Sequence, residues 1–217
     1  LDLFKESQYL KGSGLIFILL SLLYVVISII INEFIISVEL YYNTYSDQLN
    51  IDRINTLIRL KEKWEWPGYV FIPLILVVKL LLITLSIEIG AIILDYKIRF
   101  NEIFRVVLIA EMVMIISQVI RTISLFFMDF KTLDDIHNFY PLSILNLLNA
   151  EDYDAWLIYP LKLANVFTAV YFIVMAYGLS FILRKKLSEM LLFTISTYGL
   201  CLVIWIMLIM FIYIYFS

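Results

Sequence analysis

The chain alternates long apolar runs with shorter polar ones. Crossing about 30 Å of hydrocarbon takes roughly 20 helical residues, and five runs meet that length: about 14–36, 69–94, 103–127, 156–183 and 189–216. Amphipathic rings belong at membrane edges, and they mark two of the entrances. Trp64, Trp66 and Tyr69 stand in "KWEWPGY"; Tyr153, Trp156 and Tyr159 stand in "YDAWLIYP". The pattern predicts an all-α integral membrane protein with five transmembrane helices in a single membrane domain, 1–217.

Two longer connections, 37–68 and 128–155, fall on one side of the bilayer. In "SDQLNIDRINTLIRLKEK", Ile51, Ile54, Leu57 and Ile58 share a helical face, with Ser46 or Asp47 available as N-cap. In "YPLSILNLLN", Leu142, Leu145 and Leu148 do the same after Pro141. Both read as short amphipathic helices, lying on the outer leaflet or packed on the other connection.

The opposite side is basic. Lys5 and Lys11 precede the first span, Lys97 and Arg99 join spans two and three next to Arg105, and Arg184, Lys185 and Lys186 join spans four and five. The positive-inside rule then puts the N-terminus in the cytoplasm and the C-terminus outside. Leu1 opens the chain, and the first run lacks an A-x-A cleavage pattern, so it reads as a retained anchor.

Composition narrows the class. With 63% hydrophobic residues and a mean hydropathy of +0.96 over 217 residues, a soluble fold would expose far too much apolar surface. The balance of 16 basic and 19 acidic residues gives nucleic acid no basic face. Cys201 is the one cysteine, expected as a small core residue, so there is no disulfide framework. His137 beside Asp134 and Asp135 supplies too few ligands for a metal. No H-E-x-x-H, G-x-S-x-G or phosphate-cradling glycine loop occurs, and no soluble domain offers a place for ATP. Catalytic, cofactor and metal sites are therefore not expected. The abundance of Ile, Leu, Tyr and Asn suggests an AT-rich bacterial genome, hence a cytoplasmic (inner) membrane.

The second half echoes the first. "IPLILVVK" (72–79) matches "YPLKLANV" (159–166), Gly90 matches Gly178, "DYKIR" matches "LRKK", and Glu102 in "FNEIF" matches Glu189 in "LSEML". The spacing stays near 87 residues, as expected of two parallel helical hairpins repeated after one odd N-terminal helix. Five spans in this arrangement resemble the Yip family of membrane proteins, bacterial members included. The likeness is carried by "YPLSILNLLN" (140–149), "AWLIYPLKLANVFTAVYFIVMAYGLS" (155–180) and "STYGLCLVIWIMLIMF" (196–211), which contain a W-x-x-Y-P-L-x-x-x-N-x-F stretch. It covers roughly 150 residues. The resemblance implies a fold and a membrane-organising or transport-related role, without chemistry. Eukaryotic members contact small GTPases through a long cytosolic N-terminal region; only about 13 residues precede the first span here, so that activity is not carried over.

Away from the span ends, five ionisable residues interrupt the apolar runs: Lys79, Glu88, Glu111, Arg121 and Lys162. Each costs about 2.5–3.5 kcal/mol at a helix centre, so together they must snorkel, pair, or line a wet cavity that takes an anionic headgroup or small anion. Counting 1.5 Å per residue, Lys79, Arg121 and Lys162 form an upper stratum with Glu33, and Glu88 and Glu111 a lower one. Lys79 and Glu88 lie about 180° apart on their helix and need different partners. Glu111, Gln118 and Arg121 make one polar stripe. Span one offers Ser21, Tyr24, Ser28 and Asn32; span five offers Thr194, Thr197, Tyr198, Cys201 and Trp205; span four adds Lys162 and Asn165. Glu33, Lys79, Glu88, Glu111, Gln118, Arg121, Lys162 and Asn165 are the candidate ligand or partner residues. Glu111 heads them, because a carboxylate cannot snorkel far; facing Glu88, it could share a proton.

The expected function is a non-enzymatic accessory or scaffold subunit that binds another membrane protein, among membrane lipids. The alternative is a transport or lipid-handling protein that uses the buried charges. An enzyme would need a partner to supply reactive groups.

Overall fold

The computed structural model describes residues 2–148 and 153–216, so Asn149, Glu151 and Asp152 lie outside the described residues. Its elements are all helical: α1 (Asp2–Ile30), α2 (Val38–Tyr45), α3 (Ile51–Ile93), α4 (Phe100–Phe126), α5 (Leu133–Asn138), α6 (Ala155–Leu163), α7 (Val166–Leu183), α8 (Leu187–Thr194) and α9 (Leu200–Phe216). A π-helical turn at Ile31–Ile35 extends α1, and another at Ile195–Gly199 joins α8 to α9. Five helical segments are long and apolar enough to span a membrane: Gly12–Ile35, Ile51–Ile93, Phe100–Phe126, Val166–Leu183 and Leu187–Tyr215. The protein is thus a multi-pass membrane protein.

Helix α4 is the axis. It packs against α1, α3 and α7, and its inner face (Ile103, Val107, Leu108, Ala110) meets Leu80, Ile87, Met175 and Leu179 in the main core. A smaller core of Leu40, Leu125, Leu133 and Ile136 fastens α2 and α5 onto the end of α4. There Thr44 Oγ1 accepts the Leu133 N–H at 2.8 Å, and the Tyr42 hydroxyl reaches Asn55 Oδ1 at 2.7 Å.

Three expectations change. The amphipathic stretch in 46–63 is not a separate surface helix: it runs straight into span two, so α3 holds 43 residues and rises about 64 Å, twice the hydrocarbon thickness. Its N-cap is Asn50, whose side chain accepts the Arg53 N–H, rather than Ser46 or Asp47. The "YPLSILNLLN" stretch is not an amphipathic helix either. Only a 3₁₀ turn forms, Ile144–Leu147; Leu145 is buried, while Leu142 and Leu148 are exposed.

That stretch has another task, because span four is broken. Helix α6 passes through Pro160 and stops at Leu163, and the chain becomes helical again only at Val166. Asn165 caps α7 by accepting the Thr168 N–H at 2.7 Å. The backbone groups freed by the break are taken up by the loop: Ile144 N–H donates to Ala164 O at 2.9 Å and Val166 N–H to Leu142 O at 3.2 Å. In hydrocarbon such groups would each cost several kcal/mol unmet, so a broken helix there requires a partner strand of this kind.

The two hairpins repeat in their contacts. At Gly90 on α3 an added Cβ would overlap the Thr197 Cγ2 methyl and crowd the Phe193 ring; at Gly178 on α7 it would sit 2.7 Å from Val106 Cγ1. Val106 and Phe193 are 87 residues apart, so each hairpin's first helix meets the other's second helix at a glycine. Both basic turns reverse through a left-handed residue that is not glycine, Asp95 (φ 53°) and Arg184 (φ 54°). They are stitched together: Glu189 accepts from the Tyr96 hydroxyl at 3.1 Å and pairs with Lys185, which lies 4.4 Å over the Tyr96 ring.

A buried charge centre and an open cation cluster as the candidate functional site

Among the described residues, Glu111 is the one carboxylate with a fully buried side chain, which has no solvent-accessible surface. It sits midway along α4 and faces neighbours from both hairpins. Its Oε1 accepts from the Tyr24 hydroxyl of α1 at 2.7 Å and from the Lys79 ammonium of α3 at 2.6 Å. Charge-assisted bonds this short are among the stronger ones proteins make. Lys79 approaches from the outside, its side chain 41% exposed, so its stem lies along the bundle surface while its head is drawn inward.

This pairing corrects the two-strata picture. Lys79 and Glu111 start about 21 Å and about 16 Å from the basic end, a difference that a flexible four-carbon stem closes. Glu88 does not face Glu111. It is half-buried and makes no side-chain hydrogen bond or ion pair among the described residues, so the shared-proton site of two carboxylates is not formed.

Two further phenols surround Glu111. Tyr171 of α7 is fully buried and Tyr198 of the π-helical turn nearly so; both lie within electrostatic reach of the carboxylate, and their rings meet edge-to-face at 5.9 Å. The Tyr171 hydroxyl and the second Glu111 oxygen, Oε2, are buried close enough to interact with each other, but neither makes a hydrogen bond of good geometry among the described residues. Tyr171 is not among the polar residues that depth and spacing pick out of the sequence. The signal for it was present: Tyr24, Tyr171 and Tyr198 stand in mid-span, away from the edges where aromatic belts belong.

Other predicted residues serve elsewhere. Glu33 is exposed at the end of span one, within reach of Tyr69. Asn32 donates to the Tyr69 hydroxyl, which donates to Glu65 at 2.9 Å. Gln118 gives only its backbone carbonyl, to Thr122 at 2.8 Å. Asn165 is a cap, as above. Cys201 is exposed rather than a core residue, because α9 is apolar on every face and hydropathy cannot tell its lipid side from its packed side. Trp205 donates to the Tyr159 hydroxyl at 2.9 Å, tying α9 to α6.

Arg121 and Lys162 belong to a second cluster, near the loops. Arg121 is half-buried; its guanidinium donates to Ile136 O at 2.8 Å and Phe139 O at 2.9 Å, serving the open carbonyls at the end of α5. It also lies 4.7 Å from the ring centre of Tyr140, and Lys162 lies 6.0 Å from the same ring. His137, on α5, keeps part of its ring exposed. Partial burial lowers its pKa below 6.5; the charges of Lys162 and Arg121 act the same way, and Asp134 opposes them. The folded loop therefore binds this proton more weakly than the unfolded chain does. Stability from this group is present above pH 6.5 and is lost as pH falls through the depressed value. Since the chain has one histidine, a ¹³C-histidine label should give a single signal whose NMR titration midpoint falls below 6.5; a midpoint at or above 6.5 contradicts the arrangement.

Chemically, a carboxylate, an ammonium and phenols in a dry core can hold or relay a proton. Among the described residues no group of His, Cys, Asp or Glu could hold a metal ion. Comparison with family models, curated proteins and solved structures finds no match.

Proposed function

We propose that the protein is a non-enzymatic accessory or scaffold subunit that binds another membrane protein in a bacterial cytoplasmic membrane. The observation that carries this reading is the state of span five. Only 6% of its most apolar window is buried within the chain, and beyond Gly199 it packs mainly along α6. Leu200, Cys201, Ile204, Met207 and Phe211 face outward without a charge among them. Helices in a membrane associate by close packing rather than by escape from water, so a surface this large is free to take a partner helix. A likeness to the Yip family supports the same reading. Its W-x-x-Y-P-L-x-x-x-N-x-F stretch coincides with the Trp205-bonded Tyr159, the helical Pro160, the cap at Asn165 beside the helix break and the buried Phe167. Those are duties of fold, with no reaction attached.

A photo-cross-linking residue at Ile204 is expected to give a discrete protein adduct in native membranes, while one at Leu82, exposed on α3, gives little. Adducts with lipid alone at both positions would sink the proposal.

The buried centre favours a second reading, a transport or lipid-handling protein. A carboxylate whose second oxygen has only a loosely placed phenol, Tyr171, beside it is a place to hold a proton during transfer. In liposomes, Glu111→Gln and Tyr171→Phe should then each lower flux or lipid movement at least tenfold with the helical content intact. Unchanged rates would remove this reading.

A further inference from the structure

The loop end carries positive charge that the buried centre does not use. The Lys162 ammonium is half-buried and makes no hydrogen bond or ion pair among the described residues, and it lies close enough to Arg121 for the two to repel. Arg121 gives two donors to the carbonyls of Ile136 and Phe139 and has others left over. The carboxylate in electrostatic reach of Lys162, that of Asp134, is beyond ion-pair distance. Two cations thus converge on one aromatic ring, Tyr140, with no carboxylate bonded to either among the described residues. Holding like charges together in a partly desolvated place is unfavourable unless an anion joins them.

We propose that Arg121 and Lys162, with Tyr140 as the wall between them, bind a phosphate-class anion. A guanidinium fork and a mobile ammonium are the pair of donors that phosphate oxygens accept best. Lys162 lies one turn beyond Tyr159 and two beyond Trp156, within a lysine stem's reach of rings of the kind that sit at headgroup level. The anion is therefore either the phosphodiester of an anionic lipid in the leaflet next to the loops, or free phosphate. This site does not depend on either reading of the protein's function.

The test uses the full chain purified in a maltoside detergent, which contains no phosphate. Native mass spectrometry follows its titration with dioctanoyl phosphatidylglycerol and, separately, with inorganic phosphate. One saturable equivalent of the lipid is expected. Lys162→Gln, which loses no hydrogen bond of the fold, should weaken it about tenfold, the equivalent of one charge-assisted contact. Lys162→Arg should hold near the wild-type affinity, and Asp134→Asn should tighten binding severalfold. The same ranking with inorganic phosphate, but not the lipid, supports the site and identifies free anion as its source. Absence of binding by both probes, or affinities that Lys162→Gln and Asp134→Asn leave unchanged, overturns the proposal.

Discussion

Lys79→Leu is expected to destabilise the bundle by about 3–5 kcal/mol, because it leaves a buried carboxylate without its cation. Glu111 has no exposed surface through which water could replace the ammonium, and its remaining bond, from Tyr24 at 2.7 Å, satisfies one oxygen only. Glu111→Gln should cost less, since an amide keeps an acceptor for Tyr24 and removes the charge. Tyr24→Phe should cost about 1.5–3 kcal/mol, the range for a hydrogen bond to a charged group. Unfolding in mixed detergent micelles, followed by circular dichroism, orders the three variants. Lys79→Leu at or below the cost of Tyr24→Phe would mean the ammonium is not what holds Glu111.

Gly90→Ala is expected to cost about 1–3 kcal/mol, the usual range for overpacking a tight contact. A methyl there would overlap Thr197 Cγ2, on a β-branched side chain that cannot easily turn aside, with the Phe193 ring close behind. Thr197→Ser removes the obstructing methyl and keeps the hydroxyl that bonds Phe193 O at 2.8 Å. In the Thr197→Ser background, Gly90→Ala should therefore cost less than half as much. Gly178→Ala, facing Val106, should behave like Gly90→Ala if the hairpins repeat in their packing. Equal cost of Gly90→Ala in both backgrounds would contradict the close approach at this crossing.

The five spans were legible because hydrocarbon thickness sets a length that hydropathy can measure. What hydropathy averages away was not. Ala164 and Asn165 sit inside a run apolar enough to pass as one span, yet the side-chain cap at Asn165 and the loop bonds taken by Ala164 O and Val166 N–H divide it. Trp64 and Trp66 read as a membrane edge and hid the fact that α3 passes through them unbroken. The site was half legible. The half-turn offset between Lys79 and Glu88 on one helix pointed Lys79 to another partner, which is Glu111, but depth counted along each backbone ignored the length of the lysine stem that reaches it. Tyr140 could not be found by periodicity, because it arrives from a loop and meets Arg121 only in three dimensions.

The most direct measurement is a double-mutant cycle over Lys79 and Glu111. If each charge is neutralised by the other within this chain, Lys79→Leu and Glu111→Leu together should cost at least about 2 kcal/mol less than the two single losses added, as coupled neighbours do. Additive losses, within about 0.5 kcal/mol, would mean that the two side chains do not meet and that the charges find their partners outside the protein.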